Sequence, residues 1–299
     1  MPYNSPFTTL GVEDIGHIGD KSALNLAKKK LLAEIDLSNT QTILRGEREM
    51  TKDDVLKAFD TIGGIGNWAY HRAIANDKIL LNFLEMYRID IHQKFLDTDL
   101  YDDEGFIEFI SPYFSEAYEN TLMYGIDHRQ PRRLENLIYG NSFLGTDVDL
   151  EMIWTRTEQK IQDKISIIDD IADQIERGVQ FADAELLNYT SKQVMECLNQ
   201  LPSGQFDWIR DNYGIALYNL SANMWNKRDY YRASDVTLNA SLLVLSPDER
   251  KLVDERNAFF KTELNRLNSG SSEESSDTNY GNYIFWVIFI LLQVFRHCD

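Results

Sequence analysis

Apolar residues recur every three or four positions along most of the chain, which is the spacing of helices that bury one face. The longest such stretch runs from Leu150 to Ile175 and predicts one long helix that Gly178 ends. The same spacing predicts helices on either side of it, over residues 20–35, 51–62, 68–75, 77–95, 105–124, 132–139, 182–201, 206–226, 230–245 and 247–267. The predicted fold class is therefore all-α, with antiparallel helical hairpins joined by short loops.

Local signals add one short sheet and mark the starts of two helices. β-type residues flank Arg45-Gly46-Glu47 and predict a small hairpin over residues 40–50. Thr51 is a favourable N-cap for the helix that follows this hairpin. Ser246-Pro247-Asp248-Glu249 predicts a capping box at the start of the last helix of the body.

The composition changes abruptly after that last helix. Residues 268–279 are rich in Ser and Glu, which is typical of a flexible linker. From Ile284 to Leu292 the chain is apolar on every face, whereas a helix packed on a soluble body normally keeps a polar stripe. The segment from Tyr280 to Cys298 would span about 28 Å as a helix, which is close to the thickness of a bilayer's hydrocarbon core.

We predict that this C-terminal segment is a single-pass membrane anchor. The predicted anchor residues are Tyr283, Ile284, Phe285, Trp286, Val287, Ile288, Phe289, Ile290, Leu291, Leu292, Val294 and Phe295. Residues 1–6 lack the basic and apolar regions of a signal peptide, so the body is predicted to stay in the cytoplasm. The alternative is that the apolar helix packs on the body or in the seam of an oligomer.

These patterns divide the chain into five predicted parts. They are an N-terminal tail (1–19), an N-terminal helical domain that includes the small hairpin (20–145), a helical-hairpin domain (146–267), a linker (268–279) and the anchor (280–299). A chain of 299 residues is long enough for one or two domains with a proper core.

One stretch of the helical-hairpin domain carries a repeat-like pattern. Its residues are Ala216-Leu217-Tyr218-Asn219-Leu220-Ser221, Trp225, Asp229-Tyr230, Ala233, Ala240 and Ser246-Pro247. The pattern resembles one unit of the tetratricopeptide repeat (TPR) family, in which small residues let paired helices approach closely. Arg228 stands where the family has a turn glycine, and Pro247 falls late, which implies a lengthened second helix.

This resemblance implies TPR-like helical hairpins that bind a protein or peptide partner in a groove, without catalysis. It makes Asn219, Asn223 and Asn226, on the first helix of the unit, candidate partner-binding residues. The alternative to a TPR-like array is an irregular helical bundle.

The net charge limits the class of partner. Lys and Arg total 30 while Asp and Glu total 48, which gives a formal net charge of −18. A surface this acidic repels phosphate backbones, so no nucleic-acid partner is predicted. The same charge favours a partner with a basic segment. Two cysteines, Cys197 and Cys298, are too few for a disulfide scaffold or a four-thiolate zinc site.

The most basic stretch of this acidic chain is Asp127-His128-Arg129-Gln130-Pro131-Arg132-Arg133. Its arginines could bind an acidic peptide, a phosphate or anionic lipid headgroups, so Arg129, Arg132 and Arg133 are predicted partner-binding residues. The alternative is that these arginines pair with the many carboxylates of the chain.

Motifs for catalysis and cofactor binding are incomplete. Gly64-Ile65-Gly66-Asn67-Trp68-Ala69 fits a dinucleotide-binding string, but a helix is predicted before it where a strand is required. The acidic residues from Asp97 to Glu108 lack the turn glycine of an EF-hand loop. We therefore predict no cofactor, no metal and no catalytic residue. An enzyme with a site built from Glu85, His71 and His92 stays open as an alternative.

The sequence as a whole predicts a membrane-tethered helical scaffold or adaptor that binds a protein or peptide partner and is not an enzyme. The lipid bilayer is its second predicted partner, through the C-terminal segment. The alternative function is a membrane-active effector, in which the body holds the apolar C-terminal helix until a trigger releases it.

Overall fold

Most of the described chain is helical, so the predicted all-α class is confirmed. The structure is a computed structural model that describes residues 3, 5–7, 21–45, 48–61 and 67–269. Its elements in chain order are α1 (Lys21–Leu37), β1 (Thr42–Arg45), β2 (Arg48–Thr51), α2 (Lys52–Thr61), α3 (Trp68–Asn76), α4 (Lys78–Met86), a 3₁₀ turn η1 (Asp99–Asp102), α5 (Glu104–Asp127), α6 (Pro131–Tyr139), α7 (Asp147–Glu176), α8 (Asp183–Thr190), α9 (Lys192–Gln200), α10 (Asp207–Asn226), α11 (Tyr230–Ala240) and α12 (Pro247–Asn268).

The predicted membrane anchor, residues 280–299, lies outside the described residues. The linker before it also lies outside the described residues, apart from residues 268 and 269. The same is true of the start of the dinucleotide-like string at Gly64. Within the described ranges, no helix combines the length and the hydropathy needed to cross a bilayer.

The elements α1, β1, β2 and α2 form a small module with its own apolar core. Its buried side chains are Leu31, Ile35, Ile43, Met50 and Val55. The two strands are antiparallel and lie in the segment where the sequence predicts a hairpin. Thr51 caps α2 as predicted, because its hydroxyl accepts the Asp54 N–H at 3.3 Å while the Asp54 carboxylate accepts the Thr51 N–H at 3.0 Å.

Three long helices, α5, α7 and α10, form one layer, in which α7 packs against both neighbours. α7 and α10 run parallel to each other. Near their first turns the rings of Trp154 and Phe206 contact at 5.6 Å between centroids. Near their last turns Asn223 Nδ2 donates to the carbonyl oxygen of Ala172 at 3.0 Å. The long helix predicted before Gly178 is α7, and its apolar stripe is buried along its whole length.

Shorter helices form a second layer on the long ones. α9 packs between α6 and α11, while α6 packs on α5 and α11 packs on α10. The layers are joined as three helical hairpins, α5–α6, α7 with α8 and α9, and α10–α11. Each hairpin turn contains one residue at positive φ, namely Arg129 (56°), Gly178 (92°) and Arg228 (67°). Arg228 thus adopts the left-handed conformation that glycine would favour at this turn.

The helix predicted over residues 182–201 is in fact two helices, α8 and α9, because Ser191 is extended (φ −70°, ψ 153°). The bend frees the carbonyl of Thr190 from its helical partner. Asn239 of α11 donates to this carbonyl at 2.9 Å and so satisfies it. The single-helix prediction was wrong because this hydrogen bond comes from a residue distant in the sequence.

The helix predicted over residues 77–95 ends at Met86. Tyr87 has φ 55° and closes α4 with a hydrogen bond from its N–H to the carbonyl of Phe83 at 2.9 Å. The carbonyl of Tyr87 accepts a hydrogen bond from Thr121 of α5 at 3.0 Å. The remaining residues up to 95 form an irregular segment, which is important for the site described below.

The lengthened second helix implied by the repeat-like pattern is also wrong, because α11 ends at Ala240. Arg250 of α12 donates to the carbonyls of Ser241 and Leu243, which a longer helix would have used internally. The reciprocal bond of the predicted capping box, from the Ser246 N–H to the Glu249 carboxylate, is not made, because the Ser246 N–H donates to Asp211 of α10 at 2.8 Å. The Ser246 hydroxyl bonds to the Glu249 carboxylate instead.

The chain divides into two units, Met1–Asn257 and Ala258–Asp299. All elements up to the first half of α12 belong to the first unit. The described part of the second unit is the rest of α12 and Ser269, in which the rings of Phe259 and Phe260 contact and Arg266 pairs with Glu263 at 2.9 Å.

Candidate functional site

The arginines predicted to bind a partner lie in the α5–α6 turn and on the first turn of α6. Arg129 donates to the carbonyl of Leu187 at 3.4 Å. The Arg133 guanidinium lies 5.7 Å from the centroid of the Tyr124 ring, on which His128 also stacks at 3.7 Å. Arg132 is exposed. Within the part of the chain that the structure describes, no carboxylate lies within 4.0 Å of these guanidinium groups, so the alternative of carboxylate pairing finds no support there.

These arginines also oppose the electrostatics of the helix on which they lie. The first turn of α6 has no acidic residue, and its N-cap, Gln130, makes no side-chain capping bond. Arg132 and Arg133 place positive charge at the positive end of the helix dipole, where carboxylates are favoured. Gln130 Oε1 and Arg133 Nε are buried without a hydrogen-bond partner in the described structure. Helix stability therefore does not explain this arrangement.

A groove separates α6 from the irregular segment that follows α4, and its volume is about 440 Å³. We call it the α6 groove. Its lining residues are Ile91, His92, Lys94, Arg132, Glu135, Asn136, Tyr139 and Gly140. The irregular segment is held against α6 because Asn136 Nδ2 donates to the carbonyls of Asp90 and Gln93, each at 2.9 Å. His92 and Lys94 are therefore brought to the same groove as Arg132.

Sequence analysis missed the contribution of this segment. The apolar spacing predicts a helix that includes Lys94, and the sequence suggests a role for His92 only in the alternative enzyme site. The fold brings together residues about forty positions apart through the side chain of Asn136, and no local pattern signals that contact. Arg129 and Arg133 do not line the α6 groove, although they lie in the adjoining turn.

The three candidate asparagines lie on one face of α10, but they differ in their contacts. Asn223 is engaged by its bond to Ala172, while Asn219 and Asn226 are exposed. The row therefore borders the C-terminal half of α7, where Asp169 lies one turn before Ala172 and Asp173 follows it directly. We call the set Asp169, Asp173, Asn219, Asn223 and Asn226 the α7–α10 seam.

The two carboxylates of the α7–α10 seam form no ion pair among the described residues. Partial burial of Asp169, together with the like charges of Asp173 and Asp170, raises the pKa of its carboxyl above the ordinary value. Among the described residues, no lysine or arginine lies within 4.0 Å of Asp169 or Asp173. The lysines of α7 lie toward α5 instead, where Lys160 and Lys164 pair with Asp127.

The residues of the alternative enzyme site fall in two places. The N-terminal segment brings His71 and Glu85 together, because Tyr3 Oη lies 2.7 Å from His71 Nδ1 and the Ser5 N–H donates to Glu85 at 3.0 Å. His71 is fully buried beneath this segment, and burial together with the charge of Glu85 raises the pKa of Tyr3 well above its usual value. His92 lies in the α6 groove instead. Within the described ranges, no group of three or more His, Cys, Asp or Glu residues could hold a metal ion.

A second cavity of about 410 Å³ lies between the end of α7 and the α10–α11 turn. Its basic residues are Lys227, Arg228 and Arg232. Arg232 is neutralised by Asp229 at 2.5 Å and Asp183 at 3.2 Å. Lys227 and Arg228 follow the C-terminus of α10, where the helix dipole favours cations. The charges of this cavity are therefore explained by the fold.

Comparisons with known proteins give no relative for this chain: no family model, no curated protein and no solved structure matches it.

Proposed function

We propose that the chain is a non-catalytic helical adaptor, which binds a basic segment of a protein partner at the α7–α10 seam and is held at a membrane by residues 283–295. The body supplies a rigid surface, since stacked hairpins fix neighbouring helices side by side. The C-terminal segment supplies the tether, on the argument from its length and uniform apolarity.

The observation that carries the partner-binding part is the uncompensated charge at the seam. The like charges of Asp173 and Asp170 contribute to the raised pKa of Asp169, and a bound cation would offset this repulsion, since an opposite charge within about 4–6 Å favours the ionised carboxylate. The exposed amides of Asn219 and Asn226 lie beside these carboxylates and could bond to a peptide backbone. The net charge of −18 adds a long-range attraction for a basic partner.

Site-specific photo-cross-linking of the full chain in cells tests this proposal. A photoreactive residue at Asn219 or Asn226 is expected to capture a discrete partner, whereas the same residue at the exposed Asp235 of α11 is not. The double substitution Asp169→Asn/Asp173→Asn is expected to abolish the adduct. Asp97→Asn/Asp102→Asn removes the same charge from exposed positions outside the seam and should leave the adduct intact. Equal capture at Asp235, or adducts that survive neutralisation of the seam, would refute the proposed surface.

A further inference from the structure

The α6 groove is lined by two cations that form no ion pair among the described residues, and we propose that it binds a phosphate group. Lys94 and His92 approach from the segment after α4, and Arg132 from the first turn of α6. This inference goes beyond the adaptor function, since it concerns another surface and a ligand of opposite charge.

The two cations of the groove are not paired with carboxylates. Some cations elsewhere on the body, such as Lys160 and Arg232, lie within salt-bridge distance of an Asp. Lys94 and Arg132 are both exposed, and within the described ranges neither has a carboxylate within 4.0 Å. A concave surface lined by unneutralised cations concentrates positive potential and attracts anions even on an acidic protein.

The position of Arg132 argues against a purely structural role. A cation in the first turn of a helix is unfavourable, in contrast to Lys227 and Arg228, which follow the end of α10 and are favoured there. An anion bound by Arg132 would offset this unfavourable term, since it neutralises the cation. Residues that oppose local stability in this way are often retained for binding.

The shape and charge of the groove favour phosphate over a single carboxylate. Its volume of about 440 Å³ is within the usual range for small-molecule sites. The Arg132 guanidinium can donate to two oxygens at once, and the Lys94 ammonium adds a point charge, which together match a dianion. Ile91 and Tyr139, which are 39% and 62% exposed, provide apolar surface for the group that carries the phosphate. Glu135 also lines the groove and opposes anion binding.

Calorimetric titration of the full chain in detergent micelles, at low ionic strength, tests the proposal. The soluble probes are inorganic phosphate and inositol trisphosphate. A separate arm adds phosphatidylinositol bisphosphate or phosphatidylcholine to the micelles and measures binding by the same titration, so that insertion of residues 283–295 is the same in both cases. Lys94→Gln/Arg132→Gln is expected to weaken binding by at least about ten-fold, because charge-assisted hydrogen bonds are lost. Lys227→Gln/Arg228→Gln removes two cations from the other cavity and should leave the affinity unchanged.

Two further variants separate binding from folding. Glu135→Gln removes the repulsive carboxylate and should tighten binding, a gain that a misfolded chain could not show. Arg132→Gln should slightly raise the melting temperature while it weakens binding, because a cation leaves the start of α6. Asp169→Asn/Asp173→Asn should leave phosphate binding unchanged, so failure of this inference and failure of the adaptor proposal are distinguishable.

Each outcome of these titrations either supports or overturns the proposed phosphate site. Binding of a soluble probe that depends on Lys94 and Arg132 supports a site for a free phosphate ligand. Binding confined to micelles that contain phosphatidylinositol bisphosphate, with the same dependence, supports the site with a lipid headgroup as the source of the phosphate. The absence of binding in both arms overturns the proposal. So does an equal loss in the Lys227→Gln/Arg228→Gln control.

Discussion

Replacing Arg210 by Met should destabilise the body more than the loss of a surface ion pair does. The Arg210 side chain is 1% exposed, and its guanidinium donates to the carbonyls of Leu198 and Leu201 at 3.2 and 3.0 Å. Leu201 directly follows α9, so no further helical turn satisfies its carbonyl, whereas the Leu198 carbonyl also accepts the Leu201 N–H at 3.3 Å. The guanidinium also bonds to Asp207, one turn earlier on α10.

The expected cost follows from the Leu201 carbonyl, because the Leu198 carbonyl keeps its bond from the Leu201 N–H. A buried acceptor that loses its donor costs about 1–3 kcal/mol. Met fills most of the vacated volume and avoids the desolvation of a buried cation, which offsets the loss of the other guanidinium bonds. We therefore expect the free energy of unfolding to fall by about 1–3 kcal/mol.

Urea unfolding of the full chain in detergent, followed by tryptophan fluorescence, measures this change. Arg156→Met is the matched control, because Arg156 makes a surface ion pair with Glu119 at 2.6 Å and should contribute less than about 1 kcal/mol. Asp207→Asn should cost less than Arg210→Met, since the bonds to the carbonyls remain. Equal effects of Arg210→Met and Arg156→Met would refute the assigned role of the buried guanidinium.

Three other predictions concern single groups. Gly178→Ala should lower the free energy of unfolding by about 1–2 kcal/mol, because Gly178 has φ +92°. An added Cβ would meet nothing within 4 Å, so the penalty comes from the backbone conformation alone. Ser166→Ala on the exposed face of α7 is the control, and an equal change in the urea midpoint would contradict the prediction. Burial, with a contribution from Glu196, raises the pKa of the Cys197 thiol to about 12. In a Cys298→Ser chain, a disulfide reagent at about pH 8 should therefore leave Cys197 unlabelled until urea is added. Rapid labelling of the folded chain would refute the burial of this thiol. Burial opposes ionisation of Asp127, but Lys160 and Lys164 outweigh it and lower the pKa of this carboxyl below its ordinary value. Since the pKa of Asp127 is lower in the folded state, the ion pairs stabilise the fold above about pH 4 and lose this effect as the pH falls further. Lys160→Gln/Lys164→Gln should reduce the free energy of unfolding at neutral pH and make it less dependent on pH in the acid range. An unchanged dependence on acid pH would contradict the assignment.

The long helices could be predicted because their signals are local. The stripe of α7 and the glycine that follows it are both contained in one stretch of sequence, and Thr51 caps α2 through a residue only three positions away. The break at Ser191 depends instead on Asn239 of another helix, and the early end of α4 depends on Thr121 of α5. Periodicity cannot register such contacts, because they form only when the layers pack.

The candidate site likewise combines residues that the local sequence reveals with residues that only the packing brings together. The arginines before and within α6 stand out in the sequence as a basic run, whereas Lys94 belongs with them only through the hydrogen bonds of Asn136. The resemblance to a repeat singled out Asn223, but the fold uses this side chain to join α10 to α7. Asp169 and Asp173 belong to the seam only because α7 and α10 pack in parallel, and the sequence pattern does not show this packing.

The central claim is that one chain holds a protein partner at a membrane, and the distribution of its cross-linked adduct tests this most directly. The chain with a photoreactive residue at Asn219 is compared with the same chain ending at Ser269, and membranes are washed with alkaline carbonate before analysis. We predict that the adduct stays with the membranes for the full chain and moves to the soluble fraction, in equal amount, for the truncated one. An adduct that is soluble with both chains, or absent from both, would contradict the account.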